Sequence, residues 1–145
     1  MTSHISASDD FHAIQDELAT KSWLVACLCA AWCDTCQTYR SGFDQLRHQH
    51  ADKCFVWLDI EDHASLAEDL DIENFPTILI QYEEKILFLG TMLPDSNLVN
   101  RLLQALEQQL SKSGLEKINP SIQASEHQVA ADWSLRQLIL DYQTK

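Results

Sequence analysis

Trp23-Leu24-Val25-Ala26-Cys27-Leu28-Cys29-Ala30-Ala31, followed at once by Trp32-Cys33-Asp34-Thr35-Cys36, is the stretch on which the fold turns. Its first nine residues carry no charge, lie between Lys21-Ser22 and Asp34, and read as a strand buried on both faces. Cys36, Tyr39, Phe43 and Leu46 then recur at helical spacing, so a helix is expected from Cys33 to near Gln49, with Ser41-Gly42 as a candidate bend. Cys33 and Cys36 therefore fall where a strand passes into a helix. Unpaired N–H groups and the positive end of the dipole at a helix N-terminus favour a thiolate over a thiol. Three residues of spacing put the second sulfur one turn away, within reach for a disulfide. Such a pair can carry two electrons.

Composition narrows the partners. With 145 residues, 46% of them apolar, the chain has material for one cored domain and an extra segment, and too little for two large domains. A formal charge of −12, with no basic run to offset it, repels nucleic acid and anionic membrane surfaces. Residues 1 to 10 lack the basic start and apolar stretch of a secretory signal, and no apolar run is long enough to span a bilayer, so a cytoplasmic protein is expected. Five cysteines in that compartment point to redox chemistry or metal binding rather than to a structural disulfide framework.

Outward from the central stretch, apolar spacing alternates between strand and helix. His4 to Ala7 reads as a short edge strand, and Ser8 or Asp9 as the cap of a helix to about Ala19 with Phe11, Ile14 and Leu18 on one face. Phe55 to Ile60 reads as a second core strand, and Asp62 as the cap of a short helix carrying Leu66 and Leu70. Strands at Thr77 to Tyr82 and Lys85 to Leu89 flank Glu83-Glu84, a hairpin without the usual Asn-Gly turn. A helix from Asp95 to Leu110 aligns Leu98, Leu102, Leu106 and Leu110, with Leu103 widening the stripe. Residues 111–145 are read as a polar linker to Pro120 and a helix from about Ser125 to Tyr142, whose apolar side holds Val129, Trp133, Leu135, Leu138, Ile139 and Tyr142.

This order, with a CxxC after the second strand, resembles the thioredoxin family over roughly residues 3 to 110. Trp32 directly precedes the first cysteine, Phe75-Pro76-Thr77 matches the family's loop in which a cis proline faces the dithiol, and Gly90 matches a glycine near the substrate groove. Asp59-Ile60-Glu61 looks like the acidic end of the family's central strand. The resemblance implies an α/β thioredoxin fold over residues 1–110, a central mixed β-sheet flanked by helices, with residues 111–145 as a C-terminal helical extension. It makes Cys33 the nucleophile and Cys36 the resolving thiol of a protein-disulfide oxidoreductase. Trp32, Phe75, Pro76, Thr77 and Gly90 become the surface that accepts an extended client peptide. No organic cofactor and no metal are implied beyond the redox-active dithiol, and a thioredoxin reductase or glutathione is the expected electron donor.

The chain also departs from the family pattern. Thioredoxins carry a buried Asp six residues before the first cysteine, which handles the proton of the resolving thiol; that position is Cys27, and the lysine partner on the next strand is replaced by Trp57. A protonated thiol cannot accept that proton, so slow resolution is expected. Between the cysteines, Asp34 places negative charge beside the dithiol and disfavours the thiolate, whereas Thr35 removes the rigidity of the family's proline, with the opposite tendency.

Other readings compete with this one. Cys27 and Cys29, at alternate positions of a buried strand, read as small core residues, as does Cys54, and Pro76 fits an ordinary trans turn. The six histidines are scattered and read as solvated. Cys27, Cys29, Cys33 and Cys36 also invite a zinc or iron–sulfur reading, opposed by a stiff strand-to-helix junction and by the lack of a second CxxC. A last alternative is a binding module with an incidental dithiol, whose C-terminal helix docks a partner instead of packing on its own domain.

Overall fold

The computed structural model describes residues 11–30, 34–59, 76–91, 96–118, 121–122 and 134–141. The elements are α1 (Phe11–Thr20), β1 (Trp23–Cys29), α2 (Asp34–Gln49), β2 (Lys53–Asp59), β3 (Thr77–Tyr82), β4 (Lys85–Thr91), α3 (Ser96–Ser113), a 3-10 turn at Leu115–Lys117, β5 (Ser121–Ile122) and α4 (Leu135–Asp141). The strand expected at His4 to Ala7, the caps at Ser8, Asp9 and Asp62, the helix carrying Leu66 and Leu70, and Val129, Trp133 and Tyr142 lie outside the described residues.

The sheet order is β2-β1-β3-β4-β5. β1 pairs in parallel with β2 and antiparallel with β3, and β4 runs antiparallel to β3. All seven residues of β1 are buried. The period of two along a strand divides them cleanly. Leu24, Ala26 and Leu28 join Cys54, Val56 and Leu58 of β2 in one apolar cluster with Ile14 and Leu18 of α1 and Leu135 and Ile139 of α4. Trp23, Val25, Cys27 and Cys29 join Phe55 and Trp57 in the opposite cluster, closed by Cys36, Tyr39, Phe43 and Leu46 of α2 and Val99, Leu103 and Leu106 of α3. The result is a mixed sheet with helices on both faces.

Local chemistry explains the junctions. The β3–β4 turn places Glu83 at φ 51°, which a non-glycine residue adopts at a cost of about 1 kcal/mol. Gln81 Nε2 donates to Glu83 O at 2.9 Å, and Glu83 N donates to Ser22 O at 2.8 Å, so two hydrogen bonds hold the turn. Gly42 lies where α2 meets α3, since a Cβ there would stand 3.3 Å from Ser96 Cβ. α3 runs on to Ser113 and stops at Gly114, whose φ of 83° suits a helix C-terminus and whose N–H reaches Leu110 O at 3.0 Å.

The polar linker expected beyond Leu110 is corrected. Residues 111–118 are the end of α3 and a 3-10 turn, tied to the sheet by Lys85 Nζ, which donates to Leu115 O at 2.9 Å and to Ile118 O at 2.7 Å. Ser121–Ile122 then extends the sheet beside Phe88 and Leu89. The polar composition that suggested a linker is that of a helix end facing water. α4 packs on its own domain: Leu135 and Ile139 are 0% exposed, Arg136 N donates to Gln81 Oε1, and Gln15 Nε2 donates to Ile139 O.

A reading of the histidines also changes. His50 is buried, with Nε2 donating to Asn100 Oδ1 at 2.7 Å and Nδ1 lying 3.5 Å from Lys53 Nζ. The Lys53 side chain is 0% exposed, 3.2 Å from Asp52 Oδ1, 3.3 Å from Glu107 Oε1 and 5.0 Å from the centroid of Trp23. Ion pairs and an aromatic face together compensate for the charge withdrawn from water.

Replacing Leu135 by alanine removes an apolar side chain contributed by the C-terminal helix to the core, at an expected cost of about 2–5 kcal/mol. Urea denaturation of Leu135→Ala checks this, and an unchanged midpoint would mean that α4 is a bystander.

Candidate functional site

β1 carries the chain toward the CxxC, and its partners bring the other marked residues to the same end of the sheet. Cys29 lies opposite Asp59, Leu28 opposite Thr77, and Thr77 opposite Thr91. Gly90 faces Ile78, which in turn faces Cys27. Pro76 is buried immediately before β3, and Thr77 is 6% exposed. Pro76, Thr77 and Gly90 therefore lie at the end of the sheet from which β1 runs on toward α2. Trp32, Cys33 and Phe75 lie outside the described residues, as does the side chain of Thr35.

Cys36 is the third residue of α2 and is 0% exposed. Its neighbours in the apolar cluster include Cys27, Cys29, Tyr39 and Trp57, so its sulfur is shielded from bulk water on the sheet side. Asp34 opens the helix with an exposed side chain, and its backbone carbonyl accepts from Thr38 Oγ1 at 3.1 Å. Water around that carboxylate weakens its effect on a neighbouring sulfur, and its position in the first turn complements the helix dipole.

The two residues that depart from the family pattern are paired directly. Cys27 stands opposite Trp57 in the β1–β2 register, and both are buried in one cluster. Phe43 packs edge-on to Trp57 with centroids 5.6 Å apart, and the Arg40 guanidinium lies 5.1 Å from the centroid of a Trp57 ring. Sequence reading missed Arg40. Its signal was available in the spacing, since Arg40 follows Cys36 by one helical turn and shares its side of α2. A cation over an indole face is favourable, and here it places positive charge on the helix that carries Cys36.

Cys27 and Cys29 lie 3.3 Å apart, sulfur to sulfur. Cys54 belongs to the other face of the sheet. Burial, then the negative charge of Glu17, pushes its thiol up to about 12 from an ordinary 9.0. Among the described residues, no three His, Cys, Asp or Glu side chains converge to hold a metal ion, so Cys27, Cys29 and Cys36 do not by themselves form the metal site considered from the sequence.

Residues 3–104 match the family model described as thioredoxin. The chain belongs to the thioredoxin family. Curated relatives include a thioredoxin H-type of Brassica oleracea, 31% identical over 58 residues, or 39% of this chain and 47% of that protein. A thioredoxin of Mycoplasma genitalium is 25% identical over 67 residues, 46% of this chain and 66% of that protein. The matches thus span about half to two thirds of these relatives. Among solved structures, the thioredoxin Deadhead of Drosophila melanogaster superposes with a TM-score of 0.59 at 19% identity, covering 73% of this chain and 99% of that one. A thioredoxin of Trypanosoma brucei gives 0.59 at 14% identity, covering 72% and 91%. A further thioredoxin neighbour, f2, was solved in complex with ferredoxin:thioredoxin reductase and matches with a TM-score of 0.56 at 18% identity, covering 72% of this chain and 93% of that one. The thioredoxin fold expected from the sequence, with its mixed sheet and C-terminal helix, is therefore present. No described helix is long and apolar enough to cross a membrane.

The raised Cys54 pKa has a definite pH signature. The native state holds a proton that the unfolded chain releases above its ordinary value of 9.0, so this stabilisation is complete below about pH 9 and is lost as pH climbs toward 12. Urea unfolding should therefore show the wild type losing stability relative to Cys54→Ala as pH rises from 8 to 11. A constant difference between the two proteins across that range would contradict the protonated, buried thiol.

Proposed function

We propose that this chain is a cytoplasmic thiol–disulfide oxidoreductase that reduces disulfides in client proteins through Cys33 and Cys36. The observation that carries the reading is the placement of Cys36, buried in the first turn of α2, at the sheet end where Pro76, Thr77 and Gly90 also lie. Family membership supports the same chemistry.

In the proposed cycle, the Cys33 thiolate attacks one sulfur of a client disulfide. A Cys33–client bond forms, the client's sulfur–sulfur bond breaks, and the departing client thiolate takes up a proton. Cys36 then attacks the sulfur of Cys33, displaces the client's second thiolate and leaves a Cys33–Cys36 disulfide. Two electrons pass to the client. A thioredoxin reductase or glutathione restores the dithiol, and the solved complex of a thioredoxin neighbour with ferredoxin:thioredoxin reductase supports a reductase as donor. The reaction needs no bound organic cofactor. Extended client backbone would lie along Trp32, Phe75, Pro76, Thr77 and Gly90, with main-chain hydrogen bonds supplying affinity and tolerating varied sequences.

The second attack requires Cys36 to give up its proton in a setting where Cys27 and Trp57 replace an acid and a lysine. Arg40, one turn along α2, holds its guanidinium over the Trp57 ring and so brings positive charge to this face of the helix. With a thiol, Cys27, in place of the family's acid, resolution is the slow step of this cycle.

Two substitutions separate the roles of the CxxC. Cys33→Ser should abolish reduction of a client disulfide, and Cys36→Ser should leave a stable mixed disulfide on Cys33, visible by mass. Restoring the acid with Cys27→Asp should accelerate release of the reduced client by about tenfold or more. Unchanged release kinetics in a folded Cys27→Asp protein would show that proton transfer at this position does not limit turnover.

A further inference from the structure

A second pair of thiols lies beneath the proposed active site. Cys27 and Cys29 occupy alternate positions of β1, point to the same side of the sheet, and hold their sulfurs 3.3 Å apart at 0% and 1% exposure. They share their apolar cluster with Cys36, whereas Cys54 is on the far face. The proposed cycle uses neither of them as a redox group. We propose that Cys27 and Cys29 form an inner redox pair that closes to a disulfide by exchange with oxidised Cys33–Cys36, so that the fully reduced chain delivers four electrons instead of two. This inference rests on the oxidoreductase reading of Cys33 and Cys36.

The exchange balances within the chain. Cys29 attacks the sulfur of Cys36, which swings onto it from its place in the cluster; the Cys33–Cys36 bond breaks and Cys33 becomes a thiol. Cys27 then attacks Cys29, forming the Cys27–Cys29 bond and releasing Cys36 as a thiol. The two protons of the inner thiols end on Cys33 and Cys36. A second client disulfide can then reoxidise the outer pair.

Burial fixes the route and the order of events. With both inner sulfurs closed to solvent, oxidising equivalents reach them through the outer pair rather than from a soluble oxidant. Positions two apart on a strand have Cα atoms about 6.4–6.8 Å apart, at the long end of what a disulfide spans. The inner disulfide is therefore strained and the more oxidising of the two. The outer pair oxidises first, and the inner thiols surrender their electrons only to strongly oxidising disulfides.

The test is a titration of the reduced full chain with an aromatic disulfide, followed by acid quenching, alkylation in denaturant and mass measurement. Five alkylated cysteines should fall to three and then to one, Cys54, because each disulfide removes two labels. Fragmentation of the Ser22–Arg40 peptide should show a closed loop across Leu28 in the second step. Cys27→Ala and Cys29→Ala should each stop after one step, halving the disulfide consumed per chain. A wild type that stops at three labels, with Cys33 joined to Cys36, overturns the inner pair and leaves the oxidoreductase reading standing. Cross-links from Cys27 or Cys29 to Cys33 or Cys36 as the end state also overturn it. If Cys33 and Cys36 never pair, both readings fall. The wild-type loop assignment holds whether or not the variants fold.

Discussion

The structure depends on one constraint: every residue of β1 is buried, so each side chain must serve one of two apolar faces. Alternation along seven residues sends Leu24, Ala26 and Leu28 to the α1 and α4 side and Trp23, Val25, Cys27 and Cys29 to the α2 and α3 side. A one-residue slip would exchange the two sets. Pairing with both β2 and β3 then fixes where β1 ends, and with it where α2 begins. The positions of Thr77 and Gly90 against the end of β1 follow from that register.

The same constraint shapes the chemistry. A strand with no exposed face has little tolerance for an unpaired charge, and beside Cys36 it carries the uncharged Cys27 opposite Trp57. Packing fills this face: Phe43 and Trp57 interlock, and Arg40 covers an indole ring from the helix side. Charge is admitted at the other end of the sheet, where Lys53 sits between Asp52, Glu107 and Trp23, far along β1 from the CxxC. The domain thus keeps its buried ion pairing away from the sulfur chemistry.

Much of this was legible in the sequence. The uncharged run at Trp23, the helical recurrence of Cys36, Tyr39, Phe43 and Leu46, and the two strands around Glu83-Glu84 each carry strong periodic patterns, and all appear as expected. Elements without such a pattern were not legible. β5 has only two residues, and its place is set by pairing with Phe88 and Leu89 rather than by its own composition. The last turn of α3 is polar because it faces solvent, which disguised it as linker, although Gly114 marks its end. His50 and Lys53 are buried because of neighbours distant in sequence, Asn100 and Glu107, that no local pattern reveals. At the candidate site, the burial of Cys27 and Cys29 on the central strand was readable. The proximity of the Cys27 and Cys29 sulfurs and the seat of Arg40 over Trp57 needed three dimensions.

In the proposed cycle Cys33 attacks and Cys36 resolves slowly. Rapid acid quenching of the reduced wild type during a single turnover with a disulfide peptide, read by intact mass, tests it most directly. A Cys33–peptide adduct should accumulate within the first turnover and then give way to a Cys33–Cys36 disulfide. A Cys33–Cys36 disulfide that forms with no adduct building up on Cys33 would contradict slow resolution, and a turnover that yields neither species would contradict attack by Cys33.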